Sequence, residues 1–139
     1  MREVTADPER HANYAGRWWT RKVKLAKDEQ VLRSALSFRH GFLGSYALGR
    51  LWLTTDRIMF TPSPFLGQLP MSWTRWVVEK NRVLSVTERR RWWFGGWELR
   101  LEVVGDRARF QPAGENLGWR AQREATHEWT EEIHKWASS

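Results

Sequence analysis

The chain has 139 residues, a formal net charge of +7 and no cysteine. That length suits one domain with a single core, and the missing cysteine excludes disulfides and thiolate metal sites. The positive balance favours anionic partners.

No apolar run approaches the ~18–20 residues of a membrane span, and the polar N-terminal stretch has no signal-peptide character. A cytoplasmic protein, at most peripheral on a membrane, is therefore expected. Eleven tryptophans are present. At that density most belong in a core, leaving a few for a surface.

Residues 1–27 read as a lead-in segment. Asp7-Pro8-Glu9 suits a short helix start and Gly16 a stop. Arg17-Trp18-Trp19 suits packing across the domain or contact with a partner. The alternation of Val23 and Leu25 allows a short strand.

The domain proper is expected over 28–139. A first strand covers 31–39, with Leu32, Leu36 and Phe38 on one side and Arg33, Ser37 and Arg39 on the other. A Gly-containing loop separates it from a second strand over 46–54. A third strand covers 57–62, and Asp56 favours the turn between them. Residues 63–68, bounded by Pro62 and Pro64, read as a loop. A fourth strand is expected over 69–73, with Trp76, Val77 and Val78 continuing it or turning.

The fifth strand, 82–90, turns Leu84 and Val86 inward. The sixth, 97–104, has the cleanest alternation: Leu99, Leu101 and Val103 in, Glu98, Arg100 and Glu102 out. Gly105-Asp106 turns it into a seventh strand over 107–111, with Phe110 inward. The period then changes to 3.6. Ala125, Trp129, Ile133 and Trp136 share one stripe of a helix starting between Asn116 and Arg120.

The hairpin over 49–60 carries a resemblance. Gly49, Leu51, Leu53, Thr54, Arg57, Ile58 and Phe60 follow the pattern of GRAM domains and related bacterial pleckstrin-homology-like domains. Glu29, just before the first strand, also fits. The resemblance covers about 28–137 and implies a mainly β fold: a seven-stranded, partly open barrel capped by a C-terminal amphipathic helix. It further implies a non-catalytic adaptor that contacts an anionic membrane surface or a protein partner. The basic stretch of lipid-binding relatives is only partly present, as Arg33, Arg39 and Arg50.

Two loops share an apolar tip, Phe42-Leu43-Gly44 and Phe65-Leu66-Gly67, and the superfold implied by the resemblance puts them at one open end. Arg39, His40 and Arg50 flank the first. Such tips can enter a lipid surface while nearby cations meet head groups, or they can fold back onto the core.

A second candidate surface is Arg89, Arg90, Arg91, Trp92, Trp93 and Trp97. Arginine and tryptophan together suit a protein contact, a second copy of this chain included, or the stacking and phosphate contacts of single-stranded nucleic acid. The alternative is a strand-edge loop whose rings bury themselves. Nucleic acid is the less favoured partner because basic residues are scattered along the chain. His127, Glu131 and His134 share a helix face and read as solvated, so no metal is expected. No catalytic or phosphate-loop motif is present, and neither enzymatic activity nor a cofactor is expected.

Overall fold

The computed structural model describes residues 3–6, 23–41, 46–67, 75–90, 96–113 and 119–139. Nine strands and one long helix are found among them: β1 (Glu3–Ala6), β2 (Val23–Ala26), β3 (Val31–His40), β4 (Tyr46–Thr54), β5 (Arg57–Gly67), β6 (Trp76–Glu79), β7 (Val83–Arg90), β8 (Trp97–Val103), β9 (Asp106–Pro112) and α1 (Trp119–Ser138). Seven strands form one antiparallel sheet in the order β6-β5-β4-β3-β9-β8-β7, and β1 pairs with β2 separately.

The sheet is curled by its own connectivity. Its two edge strands, β6 and β7, are consecutive in sequence and joined only by Lys80–Arg82. Six inter-strand spacings would set flat edges roughly 29 Å apart. A three-residue link spans at most about 14 Å between the flanking Cα atoms. The edges must therefore approach, although among the described residues no ladder joins them and the sheet is not closed into a barrel. Trp76 on the β6 edge reaches across: its Nε1 donates to Asp106 Oδ2 at 3.3 Å, and its ring lies 5.3 Å from that of Phe110.

The concave face holds the core. Leu51, Leu53, Ile58, Phe60, Leu99, Leu101 and Phe110 join Trp129, Ile133 and Trp136 of α1 in one buried cluster, as the two periodicities predict. The helix packs on β7, β8 and β9 and crosses one end of the curl. Near its C-terminus Trp136 Nε1 donates to Thr55 O, in the β4–β5 turn, at 3.3 Å. Near its start the Gln122 amide exchanges two bonds with the backbone N–H and C=O of Trp97, at 2.9 and 2.6 Å, much as a strand neighbour would.

Several sequence expectations change. The predicted loop over 63–68 is strand up to Gly67, because a register irregularity between Ala47 and Gly49 lets β5 run past its prolines until Gly67 faces Ala47. Gly49 is required there, since a Cβ would lie 2.3 Å from Thr61 O. Of the fourth strand, 69–73 lies outside the described residues, whereas Trp76–Glu79 is strand.

Leu84 is 65% exposed instead of inward. A register shift between Val83 and Ser85 packs Val83 on the core and turns Leu84 out. Glu98, expected in water, is buried and receives Arg100 Nε at 2.8 Å. The β4–β5 turn is held by Thr54 rather than Asp56: Thr54 Oγ1 accepts the N–H groups of Asp56 and Arg57 at 3.1 and 3.0 Å.

Residues of the lead-in are tied to the domain. Leu25 of β2 joins Trp52 and Met59 in a second cluster on the convex face of β4 and β5. Next to it the buried Glu29 carboxylate accepts Arg57 Nε and Nη2 at 2.9 and 3.0 Å, Ala26 N–H at 3.0 Å and the Thr54 hydroxyl. Burial alone would raise the pKa of Glu29, but these bonds to the charged form outweigh it and hold the carboxyl below its ordinary value.

Two predictions follow from this packing. Trp129→Ala empties the centre of the helix stripe and should cost about 3–5 kcal/mol in a denaturant melt. Because the folded pKa of Glu29 is lowered, its contribution is present above the unfolded value near 4.5 and lost as pH falls through the folded one. In thermal melts between pH 3 and 7, the native chain's advantage over Glu29→Gln should therefore shrink toward acid.

Candidate binding surface

The register brings three connections to the end of the sheet opposite α1. His40 faces Tyr46 across the β3–β4 connection, Gly67 of β5 faces Ala47, and the β8–β9 turn at Val104-Gly105 runs beside them, because Arg109 faces His40. Gly105, at φ 80°, supplies the left-handed residue of that turn.

Arg39 is half-buried on the concave side of this mouth, its guanidinium 6.0 Å from the Trp76 ring centre. Burial lowers its pKa, and the Asp106 charge opposes that. His40 lies on the convex face, with Nε2 against Gln111 Oε1. Phe42 and Leu43 lie outside the described residues, as do the side chains of Phe65 and Leu66, whose backbone belongs to β5.

Arg50 leaves the predicted surface set. It is fully buried on the convex face of β4, and burial pushes its pKa down to about 10. Opposite it stands the buried Thr61, whose Oγ1 receives Trp52 Nε1 at 3.0 Å. This part of the convex face is a second interior, not a solvent face.

In the second predicted segment, Arg89 and Arg90 are exposed at the end of β7, and Arg91, Trp92 and Trp93 lie outside the described residues. Trp97 is half-buried, with the Arg123 guanidinium 4.7 Å from its ring centre. It lines a cleft of about 680 Å³ between β7 and α1. In that cleft His127 Nδ1 meets Glu88 Oε1 at 2.7 Å, a bond that raises the histidine pKa. Among the described residues no cluster of three or more metal-ligating side chains is found.

The structure also shows a surface missed in the sequence. Tyr46, His40, Arg109, Arg100 and Thr87 are successive partners across β4, β3, β9, β8 and β7, so they form one row on the convex face. Phe38 stands beside it, 6.2 Å from His40 and 6.1 Å from Tyr46 between ring centres. Alternation in β8 and β9 marks Arg100, Arg107 and Arg109 as outward. Their meeting with β3 depends on the pairing of the first and last strands of the sheet, which no local pattern carries.

No family model and no curated protein matches the chain. Among solved structures it is similar to the C-terminal domain of an unknown protein from Leishmania infantum, with 13% identity, 78% of this chain and 84% of that one covered, and a TM-score of 0.53. That likeness concerns the fold alone. No helix among the described residues is long and apolar enough to cross a membrane.

The contrast between the two arginines is testable. Arg50→Ala vacates a buried site and should cost about 2–5 kcal/mol, as other large deletions do. Arg109→Ala, at a half-buried position, loses one bond to Gly41 O and should cost only about 0.5–1.5 kcal/mol. Chemical denaturation of the two variants checks both.

Proposed function

We propose that the chain is a non-catalytic binding module of the pleckstrin-homology-like superfold whose open end meets an anionic membrane surface. The fold part of this reading is supported by the seven-stranded antiparallel sheet, its curl and the single C-terminal helix across one end. The functional part rests on one observation. The register brings the β3–β4 connection and the end of β5 to the same end of the sheet, beside Arg39 and His40.

These two segments carry the Phe-Leu-Gly tips of the sequence. The end is left uncovered by α1, which crosses the other. Each nearby cation adds about 1 kcal/mol at an anionic surface, and shallow apolar insertion adds part of the ~1.5–3 kcal/mol of a fully buried side chain. One tip alone would bind weakly, whereas two tips with basic neighbours reach useful affinity.

Co-sedimentation with vesicles tests this. Binding should require phosphatidylserine in the vesicles, weaken between 50 and 500 mM salt as surface charges are screened, and drop in a folded Phe42→Ser/Phe65→Ser variant. Binding absent on anionic vesicles at low salt, or indifferent to the double substitution, rejects the membrane and favours a protein partner.

A further inference from the structure

We infer that the convex face of β3, β9 and β8 is a binding surface for single-stranded nucleic acid, distinct from the tip-directed membrane contact. The sequence disfavours nucleic acid because basic residues are spread through every element. The fold removes that objection by gathering them. Arg100 and Arg109 are adjacent in the cross-strand row, and Arg107 stands next to Arg109 along the convex side of β9. Arg89 of β7 faces Glu98 of β8. Glu98 and Glu102 are the carboxylates of this face, and Glu98 is already engaged by Arg100 Nε at 2.8 Å. That bond uses one of five guanidinium donors and orients the rest. Arg109 is similarly steadied through Nη2 on Gly41 O at 2.7 Å. A recess of about 330 Å³ runs between His40 and these three arginines, with Glu102, opposite Arg107, as the one carboxylate among its lining residues.

Cations alone would suit any polyanion. The aromatic group narrows the choice. Phe38 and Tyr46 are each 40% exposed, although both sit on strands whose neighbours are largely buried. With His40 they make a ring cluster that stays partly open to solvent. The row from Tyr46 to Arg100 crosses three inter-strand spacings, roughly 14 Å. A short single strand laid along it can stack bases on the rings while its phosphates meet the arginines. A duplex keeps its bases stacked internally and cannot use the rings. An acidic peptide uses the arginines only.

Fluorescence anisotropy with a labelled twelve-nucleotide single strand, its duplex and a polyglutamate peptide of equal charge tests this. The single strand should bind most tightly. Neutralising about three phosphates predicts a loss of roughly twentyfold between 50 and 200 mM salt. Phe38→Ser/Tyr46→Ser should weaken binding about tenfold or more at a temperature where circular dichroism shows the variant folded, and Phe38→Trp should retain it. No binding at 50 mM salt, equal binding of duplex or polyglutamate, or indifference to the double substitution overturns the inference. So does a double variant that keeps oligonucleotide binding but loses vesicle sedimentation, since the face then belongs to the membrane. If instead Phe42→Ser/Phe65→Ser abolishes vesicle binding and spares the oligonucleotide, both readings stand separately.

Discussion

The three residues Lys80–Arg82 constrain the whole molecule. A seven-stranded sheet whose edges are consecutive in sequence cannot lie flat when so short a link joins them. The sheet must curl, and a curled sheet has a concave side that no strand fills. Apolar side chains of β4, β5, β8 and β9 line that hollow, and exposing them to water would be unfavourable by about 25 cal/mol per Å². The stripe of Trp129, Ile133 and Trp136 is the large apolar surface that occupies it. Lys80 completes the coupling, with its Nζ 5.6 Å from the Trp136 ring and bonded to Ser139 Oγ at 2.6 Å. The link that imposes the curl thus also touches the helix that fills it.

Arg33 ties the helix to the other half of the sheet. Its guanidinium lies 5.4 Å from the Trp129 ring and bonds Glu128 and Glu132 at 2.7 and 2.9 Å. The side of β3 bearing Arg33 and Arg39 is thus the side facing the helix and the mouth. Of the apolar set opposite, Leu36 is buried while Leu32 and Phe38 are partly open to solvent. Alternation alone correctly separates the two sets. It assigns no direction to either, because a long arginine can extend its stem along a core and keep its head at the rim.

The local patterns carry much of the fold. Strand β4 has its predicted bounds, the helix begins within its predicted window, and the core of Leu51 through Phe110 is legible from periods of 2 and 3.6. Four features are not legible. The continuation of β5 depends on an irregular register with β4, and the outward turn of Leu84 depends on one with β8. The burial of Arg50 occurs on the convex face of β4, the same face that carries the Leu25, Trp52 and Met59 cluster, where alternation alone predicts solvent. The arginine row depends on the β3–β9 pairing between distant segments. Each is a non-local contact with no local composition to announce it.

The two covers also decide which surfaces remain for recognition. Helix α1 takes one end of the curl, and the cluster of Leu25 with Trp52 and Met59 takes the convex face of β4 and β5. Among the described residues, these covers leave open the mouth around Arg39 and Trp76 and the convex face of β3, β9 and β8, besides the cleft between β7 and α1. Buried positions elsewhere hold mostly apolar groups, with some hydroxyls such as Thr126 and Thr130 and charges such as Glu29, which is engaged by Arg57. On the remaining surface, arginines and half-exposed rings stand together. Desolvating such groups is favourable only when a partner supplies negative charge and apolar faces at once. A purely hydrophobic partner would strand the arginines, and a small inorganic anion would leave the rings in water. The chemistry of that surface thus suits the extended anionic partner we propose.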